Sequence, residues 1–107
     1  MAAKRNIGDE TFRLTKQIPQ GNVSTYGAIA KALGRESLAR AVGRTLGKNQ
    51  NPAEVPCHRV VHSDGRLGGF RWGAAQKIGL LKKEGVGVRK GRIIDFKKGL
   101  FTAFKKD

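Results

Sequence analysis

The sequence predicts a mainly α-helical domain with small β elements, built around a helix-turn-helix, and three observations lead there. Four segments carry helix start and stop signals. The β signal is confined to short pieces, the branched pair Val60-Val61 and an alternating stretch near the C-terminus. Two of the helical segments are separated only by Gly34-Arg35-Glu36, the kind of short connection a helix-turn-helix uses.

The first segment, DETFRLTKQIP, opens on acidic residues that suit a helix N-terminus, pairs Leu14 with Ile18 one turn on, and stops at Pro19. A QGN turn follows. In the second, STYGAIAKALG, Ser24 or Thr25 offers an N-cap and Gly34 accepts the left-handed C-terminal conformation. The third is ESLARAVGRTLGKN. Wound at about 100° per residue, it puts Leu38, Val42, Thr45 and Leu46 on one side and Arg40, Gly43, Arg44 and Gly47 on the other. Each of those glycines costs helix stability, roughly 1 kcal/mol relative to alanine. A merely solvated face has no use for that cost, whereas a face approached closely by a nucleic-acid backbone does. An ordinary helix pair with a charged outer face is the alternative.

After Asn49 the chain is irregular through QNPAEVP, punctuated by Pro52 and Pro56. RVVHSDGRLGGF reads as a short strand, an Asp-Gly turn and a flexible loop. The fourth helix, AAQKIGLLKKEG, turns Ile78 and Leu81 inward and ends at Gly85. Beyond it, Val86, Val88, Ile93, Ile94 and Phe96 around RKG suggest a small hairpin ahead of a basic end.

The 107 residues allow one domain, 1–107, able to bury roughly two-thirds of the surface its unfolded chain exposes. No apolar run approaches the ~18 residues of a membrane span, and no signal peptide is visible. With a single cysteine no internal disulfide is possible, and a cytoplasmic location is expected. The 22 Lys and Arg against 8 Asp and Glu leave a net charge of +14, a field that attracts polyanions, nucleic acid first among them. Composition alone equally fits a general basic nucleic-acid-binding protein of the ribosomal kind.

The one cysteine, Cys57, sits in VPCHRVV. Zinc needs four ligands at characteristic spacings, and Cys57, His58 and His62 do not supply them, so no metal and no cofactor is expected. A nucleophile suits the pattern better: a thiolate is favoured by a nearby imidazole or guanidinium, and His58 and Arg59 follow directly. Adjacent side chains on an extended chain point apart, so contact between Cys57 and His58 requires a turn or an intervening water.

PCHRVV resembles the active-site motif of the alkylguanine-DNA alkyltransferases, or methylated-DNA-protein-cysteine methyltransferases, which repair O-alkylated guanine. The resemblance runs from about Phe12 to Gly85: IPQGNVSTYGAIAKALG is similar to the family's first conserved stretch, ARAVGRTL to its recognition helix, NQNP to its hinge and LLKKEG to its last helix. It implies a winged helix-turn-helix-like alkyltransferase catalytic domain. Such a domain enters the minor groove of double-stranded DNA containing O-alkylguanine, flips the damaged base out and moves its alkyl group irreversibly to cysteine. Cys57 is then the acceptor thiolate, His58 the base acting through water, Glu84 the residue orienting it, and Tyr26 a proton donor to the departing guanine. Arg40 is the finger that fills the gap in the base stack, with Ala39, Gly43, Arg44 and Thr25 beside it at the DNA, and Asn49 braces the hinge. Val60, Phe70, Arg71 and Trp72 fall at the substrate pocket, and Arg59 is structural.

The loop GGFRWGAAQ departs from the family, whose commoner form has a hydroxylated aromatic before Ser-Gly-Gly; Phe70 lacks the hydroxyl, and Arg71-Trp72 are bulkier. Trp72 either anchors the loop in the core or touches substrate. Many relatives carry an N-terminal domain, and none is expected here. The basic tail, 86–107, with Arg89, Lys97, Lys98, Lys105 and Lys106, is expected chiefly to raise solubility, with DNA contact or a packed hairpin as alternatives. The expected state is a monomer, with cooperative binding on DNA left open. Besides suicide repair, a lesion sensor of the same fold remains as an alternative, although sensors characteristically lack the cysteine.

Overall fold

The computed structural model describes residues 6–105, so Lys106 lies outside the described residues. Helix α1 spans Ile7–Thr15, capped by the Asn6 side chain, which accepts from the Asp9 N–H at 2.7 Å. It begins earlier and ends earlier than DETFRLTKQIP suggests. Residues 16–18 unwind into turns that still bury Ile18 beside Leu14, so the apolar spacing holds where the helix does not. Strand β1, Ser24–Thr25, leads directly into helix α2, Tyr26–Ala32. Thr25, not Ser24, is the cap: its Oγ1 accepts from the Ala28 N–H at 2.9 Å, while the Ser24 hydroxyl donates to the Phe101 carbonyl. Gly34 closes the helix at φ +112°, a conformation open to glycine.

The third segment divides. Glu36–Leu38 forms a 3₁₀ turn, and helix α3, Ala39–Gly47, follows it. Val42 and Leu46 are buried and Arg40, Arg44 and Gly47 are exposed, as the helical spacing requires. Another 3₁₀ turn, Cys57–Arg59, precedes strand β2, Val60–Val61, and helix α4 spans Ala74–Lys83. The chain finishes with the hairpin β3, Val88–Arg89, and β4, Arg92–Ile93, and a one-turn helix α5, Phe96–Gly99.

Strands β1 and β2 pair in parallel, Ser24 with Val60 and Thr25 with Val61. This short sheet divides two cores. Val60 joins Leu14, Ile18, Ile29, Val42, Leu46 and Cys57, and Val61 joins Val23, Leu67, Leu81, Val86 and Ile93. Successive strand residues face opposite ways, so two adjacent valines serve both.

The tail is part of the fold, contrary to the solubility expectation. Beyond the hairpin, Leu100 bridges Val23, and Phe101 and Phe104 pack on the first core. The Lys105 backbone exchanges hydrogen bonds with the Gln17 side chain at 2.7 and 2.9 Å. Its aromatic residues decide this: burying a phenylalanine releases about 1.5–3 kcal/mol, and exposed lysines between them leave that gain intact. Among the described residues, no helix is long and apolar enough to cross a membrane.

Candidate active site

Cys57 is placed by its two neighbours in sequence. Pro56 fixes the approach, the Cys57 N–H turns back to the Val55 carbonyl at 2.7 Å, and the Arg59 N–H closes the 3₁₀ turn on the Pro56 carbonyl at 3.0 Å, so the chain at Cys57 and His58 is turned rather than extended. Asn49, buried just past α3, donates its amide to the Val55 carbonyl at 2.9 Å and to Cys57 Sγ at 3.2 Å, and its Oδ1 accepts from the Asn51 N–H. Asn49 thus ties the end of α3 to the sulfur itself. A donor aimed at Sγ suits a nucleophile that reacts as an anion.

Cys57 lies in the wall of a cavity of about 460 Å³ that Tyr26, Ala39, Arg40, Gly43 and Phe70 also line. Cys57 is nevertheless only 6% exposed. Burial first, and then the charge of the Cys57 sulfur, push the Tyr26 phenol above its ordinary value, which keeps it protonated. A Cβ at Gly43 would stand 3.8 Å from the Tyr26 ring and one at Gly47 would meet nothing within 4 Å, so internal packing does not demand either glycine.

Behind the sulfur is a charged cluster. Glu84 caps the end of α4 and accepts two bonds from Arg59, at 2.9 Å from Nε and 2.6 Å from Nη2, while Nη1 of Arg59 donates to the Ile18 carbonyl. His58 Nε2 stands 3.1 Å from the same Glu84 oxygen that Arg59 Nη2 holds. Burial lowers the His58 value despite the opposing carboxylate, so the imidazole is neutral at neutral pH. For Glu84 burial works upward, but the Arg59 and His58 contacts outweigh it and the net shift is down. His58 Nδ1 is buried with no protein partner among the described residues.

Several expected site residues fall elsewhere. The side chain of Val60, though not the backbone by which it is expected to hold the base, is turned into the first core and fully buried. Thr25 is buried and spends its hydroxyl on the α2 cap, so it offers no DNA surface. Trp72 neither anchors the core nor enters the cavity wall; it is 36% exposed, packed 5.2 Å from the Phe70 ring with the Arg71 guanidinium above it. Arg71 does line the cavity and reaches the Lys48 carbonyl at 3.4 Å. Arg44 is exposed on α3 outside the cavity wall.

Two residues that sequence reasoning passed over stand close to the chemistry. His62 lines the cavity with its ring centroid 5.2 Å from that of Tyr26. The pairing follows from register, since Tyr26 and His62 each come one residue after the partners Thr25 and Val61. Lys77 is fully buried, its ammonium shared among the carbonyls of Val60 at 2.8 Å, Leu67 at 2.7 Å and Gly69 at 3.1 Å. Burial brings it down from 10.5 to about 8, with the Cys57 sulfur opposing. It therefore still carries its charge at neutral pH and pins the loop opposite Cys57. Nothing in AAQKIGLLKKEG separates it from the solvated lysines nearby.

Fold and site together define a class: a helix-turn-helix domain carrying a buried cysteine in a cavity against its second helix, α3. The family model described as 6-O-methylguanine DNA methyltransferase, DNA binding domain, matches residues 7–86, and the chain belongs to that family. A bifunctional methyltransferase/endonuclease of Picrophilus torridus is 43% identical over 93 residues, 87% of this chain and 31% of that protein. A methylated-DNA–protein-cysteine methyltransferase of Methanopyrus kandleri is 49% identical over 76 residues, 71% of this chain and 56% of that one. The chain spans about a third of the length of the first curated relatives it matches. Among solved structures, S. pombe Atl1 in complex with damaged DNA containing O6-carboxymethylguanine superposes with a TM-score of 0.77 at 29% identity, covering 88% of this chain and 93% of that one. The O6-methylguanine-DNA methyltransferase of Pyrococcus kodakaraensis gives 0.68 at 42% identity, over 77% and 47%.

Proposed function

We propose that the chain is a single DNA-binding and alkyl-transfer unit that moves a methyl or larger alkyl group from O-alkylated guanine in duplex DNA to Cys57, once and irreversibly, acting as a monomer wherever the cell keeps its DNA. One observation carries the reading: the chain's only cysteine lies in the wall of a cavity that the recognition helix itself helps to form, with Tyr26 and Arg40 beside it.

At about 460 Å³ the cavity is of the ~300–1,000 Å³ size that holds a small ligand, so a base turned out of the duplex fits where a stacked pair does not. Extrusion costs a few kcal/mol. Arg40, exposed on α3, occupies the gap, and the glycine-bearing face lets the minor-groove backbone come near. The neutral His58 takes the thiol proton through water at its unpartnered Nδ1, with Glu84 and Arg59 holding the ring. The sulfur attacks the alkyl carbon; the S–C bond forms as the C–O bond to guanine breaks, and the electron pair leaves on the base. Tyr26, kept protonated by its surroundings, neutralises the departing guanine. The protonated His58 then returns its proton through water to the Tyr26 phenolate, so in net terms the thiol proton ends on guanine and the alkyl group on sulfur. The thioether has no route back, and the sequence of steps calls on no metal or organic cofactor.

The test is the intact mass of the protein after incubation with a duplex carrying one O6-methylguanine. One methyl per chain, mapped to Cys57 and absent from Cys57→Ser, is the expected result. A lesion sensor is the second reading, favoured by the 6% exposure of Cys57; tight lesion binding without any mass change would select it.

A further inference from the structure

The C-terminal hairpin leaves a groove beside the catalytic cavity that the proposed chemistry does not use. Its walls are His62, Arg66, Lys90 and Arg92, its floor is Gly68 and Gly69, and its volume is about 530 Å³. Arg92 pairs with Arg89 across the hairpin and forms an antiparallel bridge with Arg66 on its other side. Directly opposed residues share a face, so three arginines stand in one row across the hairpin and the segment bridged to it. All of them are exposed, and Lys90 projects from the turn beside them.

Like charges directly opposed across strands destabilise the pairing. One carboxylate offsets the row: Asp64 holds Arg66 at 2.7 Å, and its backbone carbonyl accepts from Arg92. The excess remains cationic. The floor suits close approach. A Cβ at Gly69 would meet nothing within 4 Å, so the floor is open there, whereas at Gly68, φ +78°, a Cβ would come within 3.1 Å of the Tyr26 hydroxyl and internal packing requires the glycine. Lys77 draws the Leu67 and Gly69 carbonyls toward itself. Cationic side chains over a glycine backbone form a surface for phosphate oxygens.

His62 and Gly69 line both this groove and the catalytic cavity. Resting on the DNA reading above, we infer that the groove is a second DNA contact, binding backbone phosphates of the strand whose nucleotide enters the cavity, on the side away from α3. The duplex is then held from both sides of the cavity.

The test compares salt dependence of binding to an undamaged duplex, by fluorescence anisotropy, for the whole chain and two double variants. Each lost phosphate contact lowers the slope of log K against log salt by about 0.9. Arg66→Gln with Lys90→Asn should lower it by between about 1 and 2, while Lys97→Gln with Lys98→Gln, the same charge change on α5, leaves it at the wild-type value. Lys90→Asn alone, at a turn position of φ +52° that asparagine tolerates, should lower it by about 1 even if the double variant folds poorly. An unchanged slope in the groove variants, or an equal fall in the α5 variant, overturns the second contact. A flat salt response in the wild-type chain would overturn the DNA reading itself, a separately recognisable result.

Discussion

Lys77→Met removes the buried ammonium while keeping an unbranched side chain of similar reach in its place. The three carbonyl contacts at 2.7 to 3.1 Å are charge-assisted, each worth about 1.5–3 kcal/mol, or about 4.5–9 together. Burial of the ion opposes them, as the fall from 10.5 to about 8 shows, so only part of that sum is realised. The variant should therefore lose at least the worth of one such contact, about 1.5–3 kcal/mol, with a Tm lower by at least about 6 °C in a domain of this size. The wild-type protein should also gain stability between about pH 8 and 10.5, because there the unfolded chain still binds a proton that the folded chain has released. The variant should lack that gain. Thermal melts from pH 7 to 10.5, with amide exchange of residues 67–70 as the local readout, decide the matter. A variant as stable as wild type, with the same pH profile, would show that the loop opposite Cys57 is held without the lysine.

Arg40→Ala should slow transfer from duplex DNA far more than from free O6-methylguanine, which needs no flipping; equal slowing removes the finger role. Thr25→Ala should cost about 1 kcal/mol in urea denaturation through the lost α2 cap, and no measurable loss would discount the 2.9 Å bond. Glu84→Gln strips Arg59 of a doubly bonded partner in a mostly buried setting and should cost about 2–4 kcal/mol, read by the same denaturation. Stability should decline as pH falls below about 6.5, since the folded His58 resists a proton that the unfolded chain accepts, and further in the carboxylate range as Glu84 is titrated. A flat profile from pH 7.5 to 4 would contradict both shifts.

The helices were legible because their signals are local. A cap, an apolar repeat and a closing glycine lie within a dozen residues of one another, and α2 needed nothing else. The two-sided pattern of α3 carried through unchanged, while the ends of α1 and the 3₁₀ start at Glu36 did not, since fraying is settled by what packs against each end. The tail was misjudged because its lysines are conspicuous and its phenylalanines have no partner until α1 and β1 are in place.

By itself the sequence determined a mainly helical, strongly basic domain, the family resemblance, and Cys57 as the one residue around which chemistry is to be sought. Tertiary structure alone decided which groups surround it. Arg59 meets Glu84 across 25 positions, Lys77 reaches carbonyls 8 to 17 positions away, and Tyr26 meets His62 through a strand register. A side chain's residue type sets which bonds it can make; whether it is buried, and beside what, depends on packing between segments that are remote along the chain, and it is burial that turns an ordinary lysine, histidine or tyrosine into a part of the site.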